Sequence, residues 1–180
     1  MKITIFGGSS PLPESKAYQF AYDLGSGLAK SGHTVITGGY MGTMEASSKG
    51  AAEAGGHVVG ITCKEIEHWR NQPHNQWVQE EWKMETLQER MIKLMDSCDA
   101  AIALPGGPGT LAEIVLMWNR IQIEASPRVP ILLVGEEWKK IFSLFFQELN
   151  DYISPSSIKT IKFMNTVDEI ISFLQPERKQ

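Results

Sequence analysis

The sequence predicts an α/β fold, a parallel sheet carrying helices on both faces, and three observations predict it. Short apolar runs of strand length alternate with segments of helical periodicity along most of the chain. One run, Ala100 to Leu104, is apolar without interruption, as suits a strand buried on both faces. Glycine-rich turns follow the first, second and central strands, and a parallel sheet with right-handed crossovers gathers such turns at its carboxyl edge.

The elements follow in order. Lys2 to Phe6 reads as the first strand and Gly7-Gly-Ser-Ser10 as the turn after it. From Glu14 to Lys30, apolar Ala17, Phe20, Ala21, Leu24 and Leu28 keep a helical spacing that Ser31-Gly32 ends. His33 to Thr37 is the second strand. Gly38-Gly-Tyr-Met-Gly42 and a helix of small residues over 43–54 come next, and Gly55-Gly56 stops that helix. His57 to Thr62 is the third strand. Between Cys63 and Trp82 the periodicity fails, Pro73 interrupts and tryptophans stand among polar residues, so a lid-like loop is expected. Met84, Leu87, Met91, Leu94 and Cys98 then mark one stripe of a helix leading to the central strand. A long apolar helix runs to Gln122, and Pro130 to Val134 is a further strand. Trp138 to Tyr152 is an amphipathic helix, Ser154 to Ser157 a turn, Ile158 to Met164 a short strand, and Val167 to Leu174 the last helix. The polar tail from Gln175 to Gln180 is expected to fray.

A chain of 180 residues suits a single domain over 1–180 with a proper core, and 42% apolar with 21% charged residues are globular values. The net charge of −4 offers no basic footprint, so neither nucleic acid nor a membrane is an expected partner. No apolar run reaches membrane-spanning length, and the first residues enter a strand directly instead of a signal-peptide core. Cys63 and Cys98 form no paired motif, which makes a reduced, cytoplasmic protein the expectation. His68 and His74 flank a polar loop without metal-ligand spacing, so no metal and no cofactor are expected.

The stretch that carries chemistry is Pro105-Gly-Gly-Pro-Gly-Thr-Leu-Ala-Glu113. A buried strand feeding a glycine turn and a helix N-terminus brings backbone N–H groups close to an anion, and the helix dipole favours its charge. The plain structural alternative is a capping box, Thr110 as N-cap with Glu113 reaching back. Neither the dinucleotide fingerprint nor the Walker lysine is present, which disfavours NAD and ATP. Three converging glycine turns still point to a nucleotide-like ligand.

Arg90 lies about 80° from the middle of its helix stripe at 100° per residue, at the border of the buried face. It can lay its stem on apolar surface and present a guanidinium to a cleft, or pair with Glu89 at the surface. Glu113 falls beside the glycine turn. An arginine, a carboxylate and a phosphate cradle suit a reaction that develops positive charge on a sugar.

The array Gly38-Gly-x-x-Gly42, then Glu89-Arg90, then Pro105-Gly-Gly-Pro-Gly-Thr-x-x-Glu113 resembles the Lonely Guy family of cytokinin-activating phosphoribohydrolases, whose members often carry the label "possible lysine decarboxylase". The resemblance spans roughly Ile3 to Trp138. It implies a Rossmann-like three-layer αβα sandwich, usually dimeric, that hydrolyses the N-glycosidic bond of a nucleoside 5′-monophosphate to free base and ribose 5-phosphate. It places catalysis on Arg90 and Glu113. Phosphate and nucleotide binding fall on Gly8, Ser9, Gly38, Gly39, Gly42, Met44, Pro105, Gly106, Gly107, Gly109 and Thr110. Met91 stands where the family has lysine, and the stretch from Cys63 to Trp82 aligns with nothing in it. Ser47-Ser-Lys49 does not make a pyridoxal lysine site. The rival reading is a nucleotide or molybdenum-cofactor carrier of the same fold, which binds without hydrolysing.

A homodimer or higher homo-oligomer is also expected. Ile114, Val115, Leu116, Met117, Trp118, Ile121 and Ile123 surround most of one helix, and a helix apolar all round must be covered on more than its sheet side.

Overall fold

The computed structural model describes residues 1–71 and 73–175. Its elements are β1 (Lys2–Phe6), α1 (Lys16–Lys30), β2 (Thr34–Thr37), α2 (Thr43–Glu53), β3 (Val58–Cys63), α3 (Lys64–Arg70), β4 (Glu80–Met84) and α4 (Leu87–Asp96). There follow β5 (Ala100–Ala103), α5 (Pro108–Gln122), β6 (Ile131–Val134), α6 (Glu136–Glu148), α7 (Pro155–Ile158), β7 (Ile161–Met164) and α8 (Val167–Leu174). The expected fray beyond Gln175 lies outside the described residues.

The strands make one sheet of seven in the order β4-β3-β2-β1-β5-β6-β7. Every neighbouring pair is parallel. The strand order reverses at the β1/β5 seam, where ligands of such sheets bind outside the carboxyl ends. Alternate strand residues feed two cores. Ile3, Ile5, Val35, Val58 and Ile102 face α1, α2 and α8, whereas Phe6, Ile36, Val59, Ile61 and Ala103 face α4, α5 and α6. The architecture is the three-layer αβα sandwich.

On the first face α1 and α2 touch backbone to backbone. A Cβ on Gly25 would collide with the Ser47 carbonyl, and one on Gly50 with the Tyr22 carbonyl. Alanine is the better helix former by about 1 kcal/mol, yet here it would drive the two helices apart.

The stretch after Cys63 departs from the expectation of a lid without regular structure. It forms α3 and then β4, an edge strand pairing Glu80 to Met84 with Val59 to Cys63 of β3. Its alternation is visible once the partner is known: Trp82 and Met84 pack on the core while the intervening charges face out, as suits an edge. The connection between α3 and β4 is tied down as well. Asn75 donates its side-chain amide to the Gly39 and Tyr40 carbonyls at 3.0 and 2.8 Å. Met84 therefore belongs to a strand, and α4 opens at Leu87 with a capping box between Thr86 and Glu89. Glu89 is thereby committed to the cap and not to Arg90.

The α5 helix also starts earlier than expected. Gly107 is its N-cap and Pro108 occupies its first turn, so Thr110 lies inside the helix and the Thr110–Glu113 capping box does not form. Much of α5 is covered within the chain. Ile114, Met117, Trp118 and Ile121 are buried, with Trp118 meeting Phe146 and Phe142 edge-on at centroid distances of 5.6 and 6.3 Å. Leu111, Val115 and Ile123 stay 40%, 45% and 65% exposed. The amphipathic helix before β7 ends at Glu148, Asn150–Tyr152 is a 3₁₀ turn, and the Ser154–Ser157 turn proves to be the cap and start of α7.

Candidate active site

The carboxyl edge of the sheet carries a cavity of about 570 Å³ between the β1 turn, Tyr40, α3, α4 and the start of α5. The turns that meet there are bonded to one another. The Gly8 N–H donates to the Pro105 carbonyl at 3.2 Å, and the Gly8 carbonyl accepts from both the N–H and the hydroxyl of Thr43 at 3.0 Å. A more open hollow of about 650 Å³ lies at the amino edge, around Met1, Lys2, Trp82 and Lys93. The chemistry named by the sequence belongs to the first of the two.

Arg90 is far more buried than a border position implies, its side chain 6% exposed. Its Nε donates to the Ile61 carbonyl at 2.8 Å and its Nη2 to the Gly38 carbonyl at 3.1 Å, so β3 and the turn after β2 hold the guanidinium. The Tyr40 ring lies 5.5 Å away. Tyr40 is itself fixed, its hydroxyl donating to the Cys63 carbonyl at 3.1 Å and accepting from the Cys63 N–H at 2.9 Å. The remaining nitrogen, Nη1, sits 3.8 Å from Glu113 Oε1. That gap is an ion pair without a hydrogen bond, which leaves the carboxylate able to bond to something else. Glu113 is 12% exposed. Burial pushes its carboxyl up to about 7, and the Arg90 charge opposes the rise without cancelling it.

The N-terminus of α5 forms the facing wall. Pro108 has no N–H, so the bare donors of the first turn are the amides of Gly109 and Thr110. A Cβ at Gly107 or Gly109 would meet only open space, whereas one at Gly106 would run into the Thr110 side chain and, at 2.9 Å, the Gly8 nitrogen. Gly106 is thus needed for the close turn, and Gly107 and Gly109 leave the approach clear.

Of the residues named from sequence, Gly8, Ser9, Met44, Arg90, Gly107, Gly109, Thr110 and Glu113 line this cavity. Gly38, Gly39, Gly42, Pro105 and Gly106 do not line it. A Cβ at Gly38 would strike Arg90 and Met44, and one at Gly42, where φ is +71°, would press on the backbone of Gly8 and Ser9. Met91 lines the cavity too and packs partly on the core.

Sequence reasoning missed Arg70. Ile66, Trp69 and Arg70 project from one side of α3 into the cavity. With seven residues and a single apolar position besides its tryptophan, α3 is too short to show a period. The available signal was Asn71, whose left-handed φ of 49° ends the helix in the manner of a C-terminal cap.

Among the described residues no His, Cys, Asp and Glu cluster could hold a metal ion, and no helix is long and apolar enough to cross a membrane. Lys49 lies outside the cavity, its ammonium 5.6 Å from the Trp77 ring centroid.

The family model described as "Possible lysine decarboxylase" matches residues 44–174. The chain is 30% identical over 178 residues to the cytokinin riboside 5′-monophosphate phosphoribohydrolase LOG3 of Arabidopsis thaliana, covering 97% of this chain and 81% of that protein. It is 28% identical to the cytokinin riboside 5′-monophosphate phosphoribohydrolase of Mycobacterium marinum, over 88% of this chain and 85% of that one. Among solved structures, the molybdenum cofactor binding protein of Rippkaea orientalis superposes with a TM-score of 0.74 at 22% identity, over 96% of this chain and 94% of that one, a likeness of fold. The family model and the Arabidopsis relative agree, and the chain belongs to the Lonely Guy family.

Proposed function

We propose that the cavity hydrolyses the N-glycosidic bond of a nucleoside 5′-monophosphate. The observation that carries the reading is the buried Arg90–Glu113 pair, 3.8 Å apart, beside the open first turn of α5. The 5′-phosphate docks on the Gly109 and Thr110 amides and supplies binding energy remote from the reacting bond. The bond between C1′ and the base nitrogen breaks with its electron pair leaving on the base. The Glu113 carboxylate stabilises the oxocarbenium-like sugar and orients the water that adds to C1′, taking its proton, which then passes to the departing base so that free base leaves and the carboxylate is restored. Arg90, immobilised by Ile61 and Gly38, holds Glu113 in place and keeps the sugar in register. The named activity of the Arabidopsis and Mycobacterium relatives supports this reaction class. Purified protein incubated with a panel of nucleoside monophosphates, with free base followed by chromatography, tests it. Release of base from at least one monophosphate is expected, and release from none sinks the proposal.

The non-hydrolytic carrier is the second reading. It draws on the fold shared with the Rippkaea orientalis protein and on Met91 in place of the family lysine. Binding of a nucleotide without release of base would favour it.

The phosphate cradle makes its own prediction. Monophosphates are expected to bind at least tenfold better than their nucleosides by calorimetry. Gly109→Val fills the approach with a branched side chain where nothing now lies within 4 Å, and should erase that preference with little change in melting temperature. Equal affinity of wild type for adenosine and AMP would rule the cradle out.

We also propose that the working unit is a homodimer. Leu87, Leu111 and Val115 are 43%, 40% and 45% exposed on α4 and α5, the helices that carry Arg90 and Glu113, and a second copy would cover them and close the cavity mouth. Light scattering at micromolar concentration is expected to give a mass near 40 kDa, twice the 20.1 kDa chain. A fully active species at the monomer mass would end this idea.

A further inference from the structure

We propose that Arg70 is a phosphate-binding residue of this cavity, supplying from α3 the positive charge that the substrate's dianion needs. The inference rests on the nucleoside monophosphate reading and adds to it a residue outside the motif.

The first argument is charge balance. Only Arg70, Arg90 and Glu113 are charged among the described residues that line the cavity. Arg90 faces Glu113 and spends its other nitrogens on two backbone carbonyls. With Glu113 ionised, as catalysis requires, a dianion entering beside that pair would meet no net positive charge from it. Arg70 is the cation left over.

The second argument is how Arg70 is held. Its guanidinium carbon lies 5.4 Å from the Trp69 ring centroid and 5.7 Å from that of Tyr40, and its Nη2 donates to Ser9 Oγ at 3.2 Å. A side chain that long loses considerable rotamer freedom in being fixed this way, so it is preorganised for whatever it meets next. Its Nη1 is buried and has no acceptor among the described residues. Glu67, one turn earlier on α3, does not meet it: its Oε2 pairs with Lys83 at 2.9 Å and its Oε1 is likewise buried without a partner among the described residues. A buried N–H of a charged group without a partner is costly, and an oxyanion arriving in the cavity would satisfy it.

The third argument is position. Ser9, the tether, follows Gly8, whose N–H is bonded to the Pro105 carbonyl at the mouth of the α5 turn. Arg70 therefore reaches across from the β3 side towards the β1/β5 seam. Amides of α5 and a forked cation from α3 bracket the space between them, an arrangement that suits phosphate oxygens better than a neutral base.

The test compares wild type, Arg70→Gln and Arg70→Lys, with AMP and adenosine as calorimetric probes and with whichever monophosphate the panel identifies as substrate for kinetics. Arg70→Gln should weaken AMP binding at least tenfold and leave adenosine within twofold. It should raise KM by the same factor while kcat changes little, and Arg70→Lys should recover part of the loss. Melting temperatures of both variants should stay near wild type, which a merely structural latch between α3 and the β1 turn would not allow. If wild type releases base and Arg70→Gln does so with unchanged KM, Arg70 is no phosphate ligand and the hydrolase stands. If wild type prefers AMP, Arg70→Gln abolishes the preference and neither releases base, the hydrolase reading falls and Arg70 stands. A wild type that binds AMP no better than adenosine overturns Arg70 and the cradle, and release of base still decides the hydrolase separately.

Discussion

Glu113→Gln is expected to lower turnover at least tenfold, about 1.4 kcal/mol of transition-state stabilisation, while making the protein more stable above neutral pH. Both effects follow from one buried carboxyl. In the folded chain burial lifts its pKa from 4.5 to about 7. Between those values the native state holds a proton that the unfolded chain has released, so stability falls as pH rises through that window. Above it the buried charge costs up to about 3 kcal/mol, and the neutral glutamine does not incur that cost. A gain of a few degrees in Tm at pH 8, absent at pH 4, is the expected signature. The catalytic role needs the ionised form, so kcat/KM should climb with pH around 7 in wild type. In Glu113→Gln that limb should vanish, leaving only the ionisation of the substrate's phosphate, near 6. A variant with full turnover, or a wild-type profile flat from pH 6 to 8, would remove Glu113 from the mechanism.

Arg90→Ala is expected to damage activity and stability together. Its removal leaves the Ile61 and Gly38 carbonyls without their donor, takes the cation from beside Tyr40 and strips Glu113 of its counter-charge. Breaking a buried ion pair from one side costs about 3–5 kcal/mol, and the lower end applies here because Glu113 can take a proton near neutrality. Roughly 3 kcal/mol corresponds to a Tm lower by about 6–12 °C for a chain of this size. Turnover should fall at least tenfold. Thermal melting read beside steady-state kinetics checks both, and an active variant that melts with wild type would show that Arg90 is neither a support nor a catalytic group. Arg90→Lys should recover little, since an ammonium cannot serve two carbonyls and a carboxylate in the geometry of the fork.

The sequence by itself determined the alternation of strands and helices, the buried central strand and the glycine turn ending at Glu113. Each is a local pattern: an uninterrupted apolar run, a period, a turn residue. It also singled out Glu113, beside the glycine turn, and Arg90, at the border of its helix stripe, while the catalytic pairing of the two came from the family resemblance. Tertiary structure alone decided the rest. β4 is legible only beside β3, since an edge strand of charged residues gains its pairing from a neighbour and not from its own apolarity. The depth of Arg90 depends on the carbonyls of Ile61 in β3 and Gly38 after β2, which lie far apart in sequence and meet only when β2 and β3 pair. The start of α5 at Pro108, two residues before Thr110, places Thr110 inside the helix and not at its N-cap. Asn71 marked only the end of the helix that carries Arg70, because what distinguishes Arg70 itself is a hydroxyl from one turn, a ring from another and a cavity between them, and only the folded sheet edge brings those three together.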